Sequence, residues 1–276
     1  MIGAMNSPST SAWRPIALLM AVVSANLAPG AHADQSADQS VAMTVAAPHG
    51  RRPVMAVDAQ RVRAAPHESD DIDVTAAEYR LLEASAAGDV ATVRELAGKL
   101  ARVNVRDSRG RIPIVAAAAS GNAETLRVLV NAGADVNLKA GNGYTALAIA
   151  AQRGHDRSVQ VLLDAGALVD QRSDNGKTPM QNAVLANRPS VVSRLLQAGA
   201  DPELRTREGF PAVVLAARAG HTEVVRVLLD AGADPNVVGK DGFGALYWAL
   251  FYKRQGAVRL LVERGADPGA MSVDIF

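Results

Sequence analysis

From about residue 75 onward, apolar residues come in short bursts at helical spacing, and the bursts recur every 33 residues. Leu129, Leu162, Leu195, Leu228 and Leu261 hold one slot of this register. Leu126, Val159, Val192, Val225 and Val258 hold another, three residues earlier in each unit. Positions such as Val225, Leu228 and Leu229 share one helix face, which predicts amphipathic helices packed on their neighbours. Ala117, Ala150, Ala183, Ala216 and Ala249 mark a third slot, where a small side chain lets the next unit approach closely.

The polar punctuation keeps the same period. One glycine series is Gly110, Gly143, Gly176, Gly209 and Gly242; a second is Gly133, Gly166, Gly199, Gly232 and Gly265. Each unit reads as a short first helix, a turn, a second helix and a hairpin-like loop. Thr178-Pro179 shows best how the first helix opens, with a threonine N-cap and a proline where a missing N–H costs nothing. Gly121, Gly154 and Gly220 mark the turn. The second helix carries the leucines and ends at Gly-Ala-Asp, with Gly232 suited to the left-handed position just past the helix. Residues such as Asn236 to Gly242 suit a hairpin projecting sideways.

Six units are predicted over a repeat domain of residues 74–276, at about 74–106, 107–139, 140–172, 173–205, 206–238 and 239–271. The first lacks the hairpin glycines but keeps Leu81, Ala84, Gly88, Leu96 and Asn104 in phase, and Thr75-Ala-Ala-Glu78 is a capping box that opens it. The first and sixth units are expected to close the ends of the stack. Asp135, Asp170, Asp201, Asp234 and Asp267 read as turn formers rather than catalytic carboxylates or calcium ligands.

The N-terminal part has a different character. Residues 1–33 read as a signal peptide: Arg14, an apolar run from Pro15 to Val23 that fades through Ser24 and Asn26, a break at Pro29-Gly30, and Ala31-His32-Ala33 as the small-x-small site, with cleavage expected after Ala33. An uncleaved anchor is the competing reading, but the apolar run, about 13 residues even with its fading tail, falls short of the roughly 20 a bilayer span needs. No Arg-Arg pair precedes the run, so general secretion is expected over the twin-arginine route. Residues 34–73 read as a disordered linker, opening with the polar Asp34-Gln-Ser-Ala-Asp-Gln-Ser40. The alternation Val41, Met43, Val45 would also suit a strand that pairs with something. The expected location is the bacterial periplasm, with full secretion as the alternative and no membrane insertion after cleavage.

Composition narrows the function classes. Hydrophobic residues make up 49% and aromatics 4%, which suits closely packed short helices. There is no cysteine, so disulfides, thiolate metal sites and cysteine nucleophiles are excluded. His32, His49, His67, His155 and His221 form no metal-ligand spacing, and neither a metal nor a cofactor is expected. A net charge of +1 gives no global drive toward nucleic acid.

The repeat resembles the ankyrin family. Thr145-Ala-Leu-Ala-Ile-Ala-Ala151 and Thr178-Pro-Met-Gln-Asn-Ala-Val184 are similar to its T-P-L-H-x-A-A motif. The stretch from Gly220-His-Thr-Glu through Gly232-Ala-Asp-Pro-Asn236 is close to the family's second half. The resemblance implies an all-α solenoid of stacked helix pairs with hairpins at right angles. Two departures stand out. The family histidine is replaced by Val115, Ala148, Gln181, Val214 and Tyr247, which implies looser bracing between neighbouring loops. In the fourth unit Asn187-Arg188-Pro189 stands where Gly-His is usual, and Pro189 is expected to sit harmlessly in the first turn of its helix.

The resemblance further implies a non-catalytic, monomeric module that holds a protein partner on the concave face made by hairpins and first helices. A periplasmic or stress-related enzyme is one possible client class. A secreted effector acting on host proteins is the alternative, and a small-ligand binder or enzyme is a further one that lacks any supporting motif. The candidate contacts flank the hairpin glycines: Arg109, Arg111, Asn142, Tyr144, Asn175, Lys177, Glu208, Phe210, Asp241 and Phe243. The ends of the first helices add Gln152, Arg153, Arg218, Phe251 and Tyr252. Aromatics and arginine are the usual anchors of protein interfaces. Tyr247 and Trp248 read instead as rings that plug the open end of the stack. His155 and His221 are expected to brace the turn.

Overall fold

The computed structural model describes residues 75–100 and 102–269; the signal-peptide and linker readings, 1–33 and 34–73, lie outside the described residues. Six helix pairs follow one another in the described region. They are α1 (Ala76–Ala87) and α2 (Val90–Ala97), α3 (Pro113–Ser120) and α4 (Ala123–Asn131), α5 (Ala146–Arg153) and α6 (Asp156–Asp164), α7 (Pro179–Leu185) and α8 (Pro189–Gln197), α9 (Ala212–Ala219) and α10 (Thr222–Asp230), and α11 (Ala245–Phe251) and α12 (Gln255–Glu263). Among the described residues the only extended pairing is two isolated antiparallel bridges inside hairpins, Lys139 to Thr145 and Val238 to Gly244.

The local chemistry accounts for each boundary. Thr75 and Glu78 form the capping box that opens α1. Thr178 caps α7 in the same way, with Gln181 as the reciprocal partner and Pro179 at the first position. Thr145 accepts from the Ala148 N–H to cap α5. Pro189 occupies the first turn of α8, which continues unbroken to Gln197. Gly121, Gly154 and Gly220 close the first helices in the left-handed conformation. Asn187 and Lys253 take that conformation in the fourth and sixth units, where no glycine is present.

Packing follows the 33-residue register. First helices pack on first helices and second on second of the adjacent units, and each helix also packs on its partner within the unit. Leu126, Leu129, Leu162, Leu195, Leu228 and Leu261 are fully buried, as are Ala150, Ala183, Ala216 and Ala249 between first helices. Each such leucine contributes about 1.5–3 kcal/mol by leaving water. The result is one continuous apolar core from Leu81 to Ala266 rather than a centre with a surface around it.

Polar contacts lock the units together. Hairpin tips bond directly, from Gly141 N to Gly110 O at 2.7 Å and from Lys240 N to Gly209 O at 3.1 Å. Gly110 has φ +73°, and a Cβ there would stand 2.5 Å from the Gly141 Cα, so this slot serves close approach as well as conformation. A second ladder runs through Asn104, Asn137 and Asn236. Each accepts the N–H of the residue 31 positions on, at 2.9, 2.9 and 2.7 Å.

Two sequence expectations need correction. Asp170 is not in the turn-forming slot. That slot belongs to Asp135, Asp201, Asp234 and Asp267, each of which accepts the N–H two residues on. Asp170 lies two residues later in register, in the asparagine ladder, and accepts from Asp201 N at 3.1 Å. Bracing is also tighter in one unit than the missing histidine implies. Gln181 is fully buried and donates to Leu204 O at 2.6 Å across the hairpin, while its Oε1 accepts the Thr178 N–H.

Candidate protein-binding face

The hairpins present their side chains in a regular order, and internal bonds decide which remain available. Asn142, Asn175 and Asp241 each use a side-chain oxygen to accept the N–H two residues on, so they shape the hairpin they stand in. Asn175 also donates to the Tyr144 hydroxyl of the preceding hairpin at 2.8 Å. Hydrogen bonds from the backbone and from Thr206 hold the Glu208 carboxyl below its ordinary pKa, keeping it ionised on the surface. Arg111 is clamped between Asp107 at 2.7 Å and Glu83 at 2.9 Å, with its guanidinium 5.8 Å from the Tyr79 ring centre. Burial alone would lower its pKa, but the bonds to Asp107 and Glu83 outweigh that and push it up. Arg109 is exposed, and Lys177 is half-buried.

The turn ends of the first helices carry a second layer of bridges. Arg153 donates to Ala119 O at 3.0 Å. His155 lies over Gly121, whose missing side chain makes room for the ring, and its Nε2 meets Ala119 O at 3.3 Å. His221 reaches Leu185 O at 3.4 Å. Asn122 and Arg188 hold the same slot and reach Gly88 O and Gln152 O at 2.9 and 3.4 Å. The expected bracing role of the two histidines thus belongs to the slot, whichever hydrogen-bonding residue fills it. Among the described residues no three His, Asp or Glu side chains converge on a metal-sized site. Gln152 remains exposed beside Arg153.

At the last two units the aromatic residues come together. Trp248 is the hub. It meets Phe210, Phe243, Tyr247 and Phe251 edge-on, with centroids 5.5–6.4 Å apart, and stacks on Tyr252 at 5.8 Å. Phe243 and Tyr247 stack at 4.0 Å. Arg218 stands over three rings, 5.7 Å from Phe210, 5.1 Å from Trp248 and 5.7 Å from Tyr252. Phe210 and Trp248 pack on the core. Phe251 and Tyr252 remain 60% and 38% exposed, the outer edge of an otherwise half-buried cluster. The sequence separates ring positions into end plugs and contacts; the structure joins them in one body whose inner rings support the outer two.

One feature of this face is not apparent from motif reading. Arg106, Lys139, Arg172 and Arg205 stand 33 residues apart in sequence, one per hairpin. Three of them donate to backbone carbonyls: Arg106 to Lys139 O, Arg172 to Gly176 O, and Arg205 to Gly209 O and Val238 O. The signal that finds them is the register itself, applied to charge as well as to apolar residues.

Comparison with known proteins agrees with this architecture. A family model described as ankyrin repeats (3 copies) matches residues 81–173, 132–206 and 180–272. An ankyrin repeat domain from Acinetobacter baumannii AYE is 27% identical with a TM-score of 0.64, covering 69% of this chain and all of that one. The ankyrin repeat domain of Bcl-3, described as a unique member of the IkappaB protein family, is 26% identical with a TM-score of 0.65. That likeness covers 68% of this chain and 86% of the Bcl-3 domain. No curated protein sequence matches the chain.

Proposed function

The chain belongs to the ankyrin-repeat family, and on that premise we propose that it is a non-catalytic module holding a protein partner on the face built by its hairpins and first-helix ends. Ankyrin repeats are generally protein–protein interaction modules. The observation that carries the reading here is the aromatic edge of the sixth unit. Phe251 and Tyr252 stand exposed on a packed bed of half-buried rings, with Arg218 over Tyr252. A large apolar group already packed against its neighbours loses less entropy on binding than a free side chain, and rings and arginine dominate interface energetics.

The working location is the bacterial periplasm, reached after removal of residues 1–33, with a monomeric protein binding a periplasmic or stress-related enzyme. What supports this is the signal-like sequence of that segment. Intact mass of the exported protein tests the cleavage, with Asp34 expected as the first residue. Fractionation of periplasm against culture medium separates retention from release as an effector.

Capture of partners by residues 34–276, followed by mass spectrometry, tests the binding role. Phe251→Ala with Tyr252→Ala is the informative variant, because these rings are exposed where Phe210 and Phe243 are half-buried and support the fold. Loss of about 2 kcal/mol per anchor corresponds to about 30-fold in affinity. A partner that binds the double variant as tightly as the parent chain would overturn this site.

A further inference from the structure

The hairpin edge carries a charge pattern that says what kind of segment it receives. The five hairpin segments 106–111, 139–144, 172–177, 205–210 and 238–243 hold nine Lys and Arg against four Asp and Glu, in a chain whose net charge is only +1. The positive charge is therefore concentrated on this edge. It is also largely uncompensated. Among the described residues, Arg106, Arg172, Arg205 and Arg207 make no ion pair, and the first three are held by neutral carbonyls. A guanidinium fixed by a carbonyl keeps its full charge and several free N–H donors in a set direction. Lys139, Arg172, Arg205 and Arg207 line one open groove of about 320 Å³, with Asp174 the single carboxylate among them.

Resting on the binding role proposed above, we infer that this edge takes an acidic, extended segment of the partner protein, with one carboxylate per repeat and an apolar residue at its end. The spacing follows from geometry. Packed helices lie about 8–10 Å apart, so successive cations of the ladder repeat on that scale. A polyproline-II segment rises about 3.1 Å per residue with three residues per turn, so every third side chain returns to the same side after about 9 Å. A β-strand reaches a similar distance in three residues but turns alternate side chains away, so it cannot present i, i+3 and i+6 together. The fifth position of the ladder is Val238, an apolar residue, and the adjacent Gly239 lies against the Phe210 ring of the aromatic cluster. The segment's apolar end belongs there. Nucleic acid would satisfy the charge alone, but it has no use for a ladder that stops at an apolar end.

Fluorescence anisotropy with the full-length protein and labelled peptides tests this. One peptide places Glu at i, i+3 and i+6 followed by an aromatic residue; a second has the same composition with Glu at i, i+1 and i+2. The first should bind at least about tenfold more tightly, and Arg172→Gln with Arg205→Gln should remove that preference. Equal binding of the two peptides, or tighter binding of a single-stranded oligonucleotide of equal charge, overturns the inference. The two readings fail separately. If Phe251→Ala with Tyr252→Ala abolishes partner capture and the arginine variant leaves it unchanged, the acidic segment is wrong and the binding role stands. If neither variant changes capture, both fall. Unchanged circular dichroism and melting temperature in the arginine variant exclude misfolding as the cause.

Discussion

Asp170→Asn should stabilise this protein, and the reason can be followed atom by atom. The ladder position it occupies is asparagine at 104, 137 and 236, and each amide makes two bonds to the next unit. The carbonyl oxygen accepts an N–H 31 residues on, and Nδ2 donates to a carbonyl 29 residues on: Gly133 O at 3.3 Å, Gly166 O at 3.5 Å and Gly265 O at 3.4 Å. Asp170 keeps the first bond, to Asp201 N, but has no donor for the second, and its Oδ1 is buried without a partner. Burial raises its pKa, and the nearby Asp201 carboxylate adds to that, outweighing the Asp201 N–H and Arg172. A folded-state pKa above the unfolded value means the native form binds the extra proton, so stability falls as pH rises through the window between the two. Above that window the ionised group is a standing cost. An unsatisfied buried oxygen costs about 1–3 kcal/mol and a neutral hydrogen bond contributes about 0.5–1.5 kcal/mol. The asparagine should therefore add about 1–2 kcal/mol at pH 7.5, or about 2–4 °C of Tm per kcal/mol for a folded region of this size. Urea midpoints at pH 7.5 and pH 4.5 are the assay, with hydrogen exchange at Asp201 as the local probe. The gain should shrink as pH falls, because the raised pKa of Asp170 gives it a larger protonated share there, and the protonated carboxyl can itself donate. No gain at pH 7.5, or an equal gain at both, would refute the reasoning.

Two further substitutions test the packing between units. Gly110→Ala should cost about 2 kcal/mol or more, because the φ of +73° and the Gly141 backbone both oppose a side chain. Gly166→Ala, at φ +82° with no atom within 4 Å of the new Cβ, should cost only about 1 kcal/mol. Denaturant midpoints that rank the two the other way would contradict the hairpin contact. Gln181→Ala should lose about 2–3 kcal/mol, since Leu204 O and Thr178 N both forfeit a buried partner. A midpoint within experimental error of the parent would show that this brace is not made.

The repeat period alone determined a great deal. Side chains at 33-residue spacing must meet their own copies once the units stack, so the buried leucines, the alanine seam and the helix caps at Thr75 and Thr178 follow from local rules and register. The family follows from the same residues. Register also carries more than motif matching draws from it, as the cation ladder and the mixed slot of Asn122, His155, Arg188 and His221 demonstrate. Other properties only the tertiary structure decided. Asp170 looks like its neighbours in sequence, yet a shift of two residues moves it from a solvated turn to the ladder between units, where its Oδ1 is shut off from water. Asn175 and Arg111 stand at binding positions by pattern but are engaged by Tyr144 and by Asp107 and Glu83. Exposure within the aromatic group divides Phe251 and Tyr252 from Trp248. The physical reason is common to all three cases. Propensity and periodicity act along the chain, whereas desolvation and hydrogen-bond satisfaction depend on which atoms of the next unit arrive opposite, and that is set only when the units pack.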